Sequence, residues 1–213
     1  ATGKPGVVLV TSGPGATNTI TGIFTAQMDS IPIVVICGQM PTFTLGLDAF
    51  QEADVSGISS PVVKHSYLVK NAEDIPRIVK EAFYIAQTGR PGPVLIDLPK
   101  DVTSKLLDPS KILSDFTLPG YKIPDSFDSE SIELAAKYLN EARKPIILIG
   151  HGAIISKASK AVTYLAEKMR IPVVNTLLGK GCFPETNELN LGMPGMHGTA
   201  YANKAIVECD LIM

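Results

Sequence analysis

Short apolar runs alternate with stretches of helical spacing through the first half of the chain. The runs at residues 7–11, 31–37 and 94–97 contain few polar side chains, which is typical of strands buried on both faces of a parallel sheet. Between the last two runs, apolar residues return at the spacing of an amphipathic helix, at Ile75, Ile78, Val79, Ala82, Phe83 and Ala86. Asp74 is predicted to cap this helix and Gly89 to end it. Alternating elements of these two kinds indicate an α/β fold.

The periodicity disappears over residues 106–127, which contain several prolines and are predicted to form a linker. A second set of elements then follows, with helices over 132–139 and 158–169 and strands over 145–149 and 171–174. Asp128 or Ser129 is predicted to cap the first of these helices, and a last strand begins near Leu211. The pattern therefore predicts two α/β domains with parallel sheets in three layers, at 1–105 and 128–213. Because strands lie close to both ends, we expect the chain to be a segment of a longer polypeptide, with each domain incomplete at its outer end.

Charge and cysteine content exclude several classes of protein. The net charge is -2, which gives no electrostatic basis for binding nucleic acid or an anionic membrane. No apolar run approaches the roughly 20 residues that cross a bilayer. The three cysteines, Cys37, Cys182 and Cys209, form no CxxC pair, which favours reduced thiols over a disulfide framework.

The segment at 38–54, GQMPTFTLGLDAFQEAD, carries the most informative chemistry. It follows an apolar strand and contains Asp48, Gln51 and Glu52, with the aromatic Phe50 among them. Loops that leave the carboxyl ends of parallel strands are where α/β proteins place binding and catalytic groups. We therefore expect this loop to form part of a site.

Three glycine turns are further candidates. The residues SGPGATN at 12–18 and GHGA at 150–153 each lie between a predicted strand and a predicted helix, where backbone N–H groups can bind an anion or a polar ring. The first lacks the lysine of a P-loop, and the second lacks the third glycine of a dinucleotide fingerprint, so an ordinary tight turn stays open for both. The turn GMHG at 195–198 could approach a flat cofactor, although loop histidines are more often solvated. Spacing typical of metal ligands is absent from the sequence.

Two cations lie beside the strand at 94–97. Arg90 precedes the strand and could hold a phosphate or a carbonyl group, and Lys100 follows it and could attract a carboxylate substrate. An ordinary solvated side chain remains the simpler interpretation of each one taken alone.

The order of these motifs resembles one family closely. SGPGATN, GQMP with DAFQEAD, VVKHSYLV, TGRPGPVLIDLPKDV and GMHGTAYAN follow one another as in the large catalytic subunit of acetohydroxyacid synthase, also called acetolactate synthase. The resemblance covers nearly the whole chain and is weakest over 106–126. It implies a thiamine-diphosphate carboligase that decarboxylates pyruvate and condenses the product with a second 2-keto acid in branched-chain amino-acid synthesis.

The resemblance also implies a domain assignment and three cofactors. Residues 1–105 resemble the C-terminal part of a pyrimidine-binding domain for thiamine diphosphate, and 128–213 the first part of a Rossmann-like middle domain that binds FAD. The glutamate that activates thiamine is expected before Ala1. The GDG-type motif that binds Mg²⁺ is expected after Met213, so that no metal ligand lies in this chain and the chain alone should be inactive.

Site residues follow from the same resemblance. The residues implied in catalysis are Gln51, Lys100 and Phe50. Those implied on the thiamine diphosphate side are Ser12, Pro14, Asn18 and Gln51. The substrate channel is implied to include Pro41, Ala49, Phe50 and Lys100. The implied FAD contacts are Arg90, Gly150, Gly152, Thr176, Leu177, Met196 and His197.

The implied partners are pyruvate and 2-ketobutyrate, a second copy in a homodimer or higher homo-oligomer, and a separate regulatory subunit. A bacterial source implies the cytoplasm, and a photosynthetic eukaryote the plastid stroma. Two alternatives stay open at this point. One is another thiamine-diphosphate enzyme, such as a glyoxylate carboligase or a 2-keto-acid decarboxylase, and the other is a non-catalytic nucleotide-binding protein of the same fold.

Overall fold

A computed structural model describes residues 2–112, 116–124 and 126–213. The chain divides into two compact units, Ala1–Asp125 and Ser126–Met213, which are described separately. In the described ranges, no helix combines the length and the apolar composition that a bilayer-spanning segment needs.

The first unit is built on four parallel strands. Its elements, in chain order, are β1 (Gly6–Val10), α1 (Pro14–Thr17), α2 (Ile20–Asp29), β2 (Ile33–Gln39), α3 (Val55–Ser59), β3 (His65–Leu68), α4 (Ile75–Gln87), β4 (Pro93–Pro99) and α5 (Lys100–Thr103). The strands lie in the order β1-β2-β4-β3, and every neighbouring pair is parallel.

Helices cover both faces of this sheet. The apolar residues of α1, α2 and α3 pack with Val35, Cys37 and Leu95 on one face. Helix α4 packs with Val34 and Val94 on the other, because side chains alternate between faces along a strand. All the strands therefore direct their carboxyl ends to one edge, which also carries the loop from β2 to α3.

The second unit has the same plan. Its elements are α6 (Ser129–Glu141), β5 (Pro145–Ile149), α7 (His151–Ile155), α8 (Ser159–Met169), β6 (Val173–Asn175), α9 (Ala200–Glu208) and β7 (Leu211–Ile212). The parallel strands lie in the order β6-β5-β7, with α6 and α8 on one face and α9 on the other. Both units confirm the prediction of α/β layers with parallel sheets.

Two strands begin later than predicted, each after a proline. The strand predicted over 31–37 begins at Ile33, because Pro32 has no N–H for the ladder, and it extends to Gln39. Gly38 and Gln39 therefore pair with β4 as part of the sheet and do not belong to the loop. The strand predicted over 171–174 likewise begins after a proline, at Val173.

The predicted helix caps have different outcomes. The carboxylate of Asp128 accepts hydrogen bonds from Glu130 N and Ser131 N at 3.2 Å, so it caps α6 as predicted. Asp74 occupies the predicted N-cap position of α4, but its side chain makes no capping hydrogen bond. A 3-10 turn runs directly into α4, and the Asp74 carboxylate accepts a hydrogen bond from Arg77 Nη2 at 2.9 Å instead of capping the helix.

The predicted linker contains one 3-10 turn, Pro109–Lys111, within its described residues. Its residues 113–115 and 125 lie outside the described residues. Tyr121 donates a hydrogen bond to the carbonyl of Thr88 at 3.1 Å, and Leu118 packs on the α4 side of the sheet. This part of the segment is therefore attached to the first unit.

Candidate functional site

A cleft of about 370 Å³ opens at the carboxyl ends of β1, β2 and β4. We call it the strand-end cleft. Its apolar lining includes Leu9 and Ile36, and its polar lining includes Ser12, Gln39 and Lys100. Its full lining is Leu9, Val10, Thr11, Ser12, Ile36, Cys37, Gly38, Gln39, Met40, Pro41, Leu98, Lys100 and Thr103. The structure thus brings together three of the predicted site residues, namely Ser12, Pro41 and Lys100.

The glycine turn after β1 lies against the loop that carries Gln51. Gly13 has a φ of 54°, and a Cβ at this position would lie 2.7 Å from the Gln51 carbonyl oxygen. Gln51 also has a positive φ, 61°, which is uncommon for a residue with a side chain. Pro14 is the first residue of α1. Asn18 lies at the other end of that helix and lines a separate groove with residues of β1 and α2, so it does not share the cleft with Ser12.

Glu52 organises the middle of the loop from β2 to α3. One carboxylate oxygen accepts a hydrogen bond from Gly46 N and the other accepts one from Ala49 N, at 2.8 Å for Ala49. These backbone donors hold the pKa of Glu52 below its usual value, because they stabilise the ionised carboxylate. Phe50 is 83% exposed and has no place in the core. The fold therefore presents this aromatic ring at the surface beside Gln51.

Asp101 fixes the start of the same loop. Its carboxylate accepts hydrogen bonds from Thr42 N at 2.9 Å and from Thr42 Oγ1 at 2.6 Å, and these bonds lower the pKa of Asp101. Lys100 is the neighbour of Asp101 and is exposed at the start of α5. The contact therefore ties the start of the loop, next to Pro41, to the residue that follows Lys100.

A buried polar pair lies beneath the loop. Gln39 and Asp97, on adjacent strands, are 6% and 2% exposed, and Gln39 Nε2 donates to Asp97 Oδ2 at 2.9 Å. Burial raises the pKa of Asp97 to about 6, opposed by the Gln39 hydrogen bond and assisted by the negative charge of Asp54. Burial, with a contribution from Asp97, raises the pKa of the Cys37 thiol to about 12.

The sequence analysis assigned no role to Gln39 or Asp97. A signal for Asp97 was available, because it is the one charged residue in the apolar run VLIDLP. Glu52 was recognised only as a polar member of the loop, and Asp101 was not singled out. The sequence does not show which backbone N–H groups these two carboxylates bind.

In the second unit, several predicted residues meet at the ends of β5 and β6. Gly150 occupies the N-cap position of α7. The carbonyl of Ile149, which directly precedes Gly150, accepts a hydrogen bond from Thr176 N at 2.9 Å. Thr176 Oγ1 accepts a hydrogen bond from Gly179 N at 3.1 Å, and Leu177 is 69% exposed. A Cβ at Gly150, or at Gly152 in α7, would meet open space. The edge therefore presents bare backbone next to Thr176 and Leu177.

The loop that carries Met196 and His197 is held to α9. Asn203 accepts a hydrogen bond from Gly195 N at 2.7 Å and donates one to Gly195 O at 2.9 Å. Met196 is 91% exposed. His197 lines a cavity of about 320 Å³ together with Asn175, the last residue of β6. Both predicted residues thus lie on a loop near the strand-end edge of the second unit.

Arg90 lies in the first unit and has a structural task there. Its Nε donates to Ser30 Oγ at 2.8 Å, and its Nη2 donates to the carbonyl of Met28 at 3.1 Å. It thereby satisfies groups at the carboxyl end of α2, where a cation is also favourable for the helix dipole. These contacts account for Arg90 without any ligand.

Comparison with known proteins adds two family matches and several relatives. Residues 1–58 match the family described as thiamine pyrophosphate enzyme, N-terminal TPP binding domain, and residues 132–213 match the thiamine pyrophosphate enzyme, central domain. A probable acetolactate synthase large subunit of Methanocaldococcus jannaschii is 51% identical over all of this chain and 36% of its own length. The acetolactate synthase of Mycobacterium leprae is 49% identical over all of this chain and 34% of its own length. The acetolactate synthase large subunit of Haemophilus influenzae is 50% identical, again over the whole chain and 37% of its own length. The chain thus spans about a third of the length of the curated relatives it matches.

Proposed function

Because the chain belongs to the acetolactate synthase group of thiamine pyrophosphate enzymes, we propose that it forms part of a carboligase that converts pyruvate to acetolactate. The observation that carries the proposal is the strand-end cleft, which joins Ser12, Pro41 and Lys100 beside the loop of Gln51 in a chain about 50% identical to acetolactate synthases throughout. Residues 1–105 would be the pyrimidine-binding part and 128–213 the first part of the FAD-binding part, joined by the linker at 106–127.

The lining of the cleft fits a flat ring with polar substituents. Such ligands take an apolar surface with a few polar groups that fix their orientation, and the cleft offers Leu9 and Ile36 together with the Ser12 hydroxyl. Ser12, Pro14 and Gln51 would hold thiamine diphosphate from this side. Asn18 would contribute from the far end of α1. When bound, the cofactor supplies the electron sink that decarboxylation of a 2-keto acid requires.

In the reaction, the residues of this chain would position the substrate, attract its carboxylate and exclude water. Lys100 would attract the carboxylate of pyruvate or of 2-ketobutyrate to the strand-end cleft, which this exposed residue lines together with Pro41. Gln51 would orient the reacting substrate by hydrogen bonds from its amide. Ala49 and Phe50 would shape the channel, and the exposed ring of Phe50 would keep water from the reacting atoms once covered.

The strand-end edge of the second unit fits FAD. Gly150 and Gly152 leave the backbone open where a Cβ would otherwise stand, so a flat cofactor can approach closely. Thr176 and Leu177 would contact the cofactor beside these glycines. Met196 and His197 would contact it from their loop. Arg90, in the first unit, is an FAD contact by the resemblance alone and stays a prediction.

Mg²⁺ does not fit the described part of the chain. Over residues 2–112, 116–124 and 126–213, no group of three or more His, Cys, Asp or Glu side chains lies close enough to hold a metal ion. We propose that the Mg²⁺ ligands lie outside this segment, as the resemblance implies, and we derive no step through them. A second copy of the chain and a regulatory subunit are the proposed partners, and several relatives are themselves named large subunits.

A chimera tests the function of this chain in a complete enzyme. The residues of the Haemophilus influenzae protein that align with it are replaced by residues 1–213, and the products formed from pyruvate are measured. We expect acetolactate at a rate comparable to that of the host. Acetaldehyde without acetolactate would favour a 2-keto-acid decarboxylase. A folded chimera that binds the cofactors and consumes no pyruvate would favour a non-catalytic role.

A further inference from the structure

One buried side chain holds both ends of the loop that carries the candidate site. The Gln39 amide nitrogen donates hydrogen bonds to Ala53 O and to Asp97 Oδ2, each at 2.9 Å. Its amide oxygen accepts a hydrogen bond from Met40 N, also at 2.9 Å. Residues 40–53 therefore begin and end on the same amide group. A shift of Gln39 would move both ends of the loop.

Asp97 fixes Gln39 in turn. It is 2% exposed, it lies opposite Cys37 in the ladder of β2 and β4, and its Oδ2 accepts the hydrogen bond of Gln39. Within the described residues its Oδ1 has no hydrogen-bond partner, and no cation pairs with the carboxylate. The carboxylate of Asp54 has an electrostatic effect on it and repels it. Burial of such a group costs stability, so the stability of the fold does not explain it.

A second buried carboxylate in the same unit shows the usual solution. Glu81 is 4% exposed and accepts hydrogen bonds from Tyr67 at 2.9 Å and from Arg77 at 2.8 Å. Its charge is thus neutralised and both of its oxygens are used. Within the described residues, the carboxylate of Asp97 has no such cation and uses only one of its oxygens. Its one hydrogen bond comes from Gln39, which holds both ends of the loop.

We propose that Asp97 and Gln39 act as positioning residues for the proposed carboligase, because together they set the place of Gln51. Ala53, which Gln39 holds, lies two residues after Gln51, whose carbonyl contacts Gly13. The end of the loop is thereby fixed on two sides, from beneath by the amide of Gln39 and from the side by the glycine turn. The inference rests on the proposed function for its effect on rate, and on the hydrogen bonds alone for its effect on the loop.

Amide hydrogen exchange in the 213-residue chain tests the structural half. Asp97→Leu removes the acceptor, Asp97→Asn keeps one, and Gln39→Met keeps the length of the side chain without its hydrogen bonds. We expect exchange at Gly46 N and Ala49 N to become about tenfold faster in Asp97→Leu and in Gln39→Met, as for the loss of one or two net hydrogen bonds. In Asp97→Asn the exchange rate should change by less than about threefold. Unchanged exchange in Gln39→Met would overturn the proposal, even if Asp97→Leu fails to fold.

Glu81→Gln is the matched control, since it alters a buried carboxylate without a bond to the loop, and loop exchange should stay as in the parent.

In the chimera, Asp97→Leu should lower kcat by about tenfold or more and change KM for pyruvate by less than about threefold, with rescue by Asp97→Asn. Equal losses in Asp97→Asn and Asp97→Leu would contradict a positioning role. A parent chimera that makes no acetolactate would instead refute the proposed function, and the exchange measurement would still decide whether Gln39 holds the loop.

Discussion

At the scale of single residues, the contact between Gly13 and Gln51 is the most exacting one in the site. Both residues have a positive φ, and a Cβ at Gly13 would lie 2.7 Å from the Gln51 carbonyl oxygen, which is closer than van der Waals contact allows. Only glycine adopts this conformation freely and leaves the space that the carbonyl occupies. The loop can therefore approach the turn only while residue 13 lacks a Cβ.

Gly13→Ala should accordingly lower the free energy of unfolding by about 1–3 kcal/mol, the range for a side chain forced into a strained backbone conformation. Urea denaturation of the first unit measures this. Gly22→Ala is the control, because Gly22 lies within α2 and a Cβ there would meet open space. It should be neutral or should stabilise by up to about 1 kcal/mol. Equal effects of the two substitutions would show that the approach of Gln51 is not tight.

Asp97 should give the stability of the chain a specific pH dependence. Its pKa is 3.8 in the unfolded chain and about 6 in the fold, so the folded state binds the proton more tightly. Its contribution to stability is complete below pH 4 and is lost as the pH rises through about 6. The loss amounts to about 3 kcal/mol for a shift of about two pKa units.

Asp97→Asn removes this titration. The unfolding free energy of the variant, relative to the parent, should therefore increase by about 3 kcal/mol between pH 4 and pH 7.5. Denaturant unfolding at both pH values measures the difference. Parallel pH profiles of parent and variant would show that Asp97 titrates alike in the folded and unfolded states.

At the residue scale, the sequence identified the groups that face solvent better than those that support them. Gln51 was predicted because polar residues after an apolar strand have few structural reasons to be there, whereas Lys100 was assigned a role by the family resemblance. The supporting roles of Gln39 and Glu52 were missed because they lie in the backbone groups that these side chains bond, and residue type does not show which N–H or carbonyl a side chain will reach.

At the scale of elements, α6 depends on one capping side chain. Asp128 accepts a hydrogen bond from the Ser131 hydroxyl and hydrogen bonds from two backbone N–H groups at the start of the helix, and these bonds, the one from the hydroxyl above all, lower its pKa. Asp128→Ala should cost about 1 kcal/mol, as is typical for the loss of an N-cap. Asp128→Asn should cost less, because the amide oxygen remains an acceptor. Unfolding of the second unit followed by circular dichroism measures both, and equal losses would contradict capping as the reason.

The elements that the sequence predicted are those with an uninterrupted apolar pattern. β4 and α4 were found because each carries a clear periodicity that tertiary structure then uses. β3 was missed because it is a four-residue edge strand with His65 and Ser66 in its first half, and its pairing with β4 is a tertiary contact. The starts of β2 and β6 were misjudged for a local reason, since an apolar run continues through proline whereas the hydrogen-bond ladder does not.

At the scale of the whole molecule, the chain consists of two parallel α/β units, each with a cavity lined by residues at the carboxyl end of a strand. This arrangement suits the proposed function, in which each unit would hold one cofactor. The alternation of apolar runs was sufficient to predict the architecture. The identity of the cofactors could not come from it, because glycine turns after parallel strands serve many ligands.

The measurement that tests the central claim most directly is the rate of acetolactate formation by the Haemophilus chimera that carries Gln51→Ala. Gln87→Ala is its control, because Gln87 is an exposed glutamine at the end of α4 and does not line the strand-end cleft. If the loop forms the wall of the site, Gln51→Ala should lower kcat by about a hundredfold, as for the loss of a group that orients the reactants, while Gln87→Ala keeps the parent rate. A Gln51→Ala chimera that forms acetolactate at the parent rate would contradict the account.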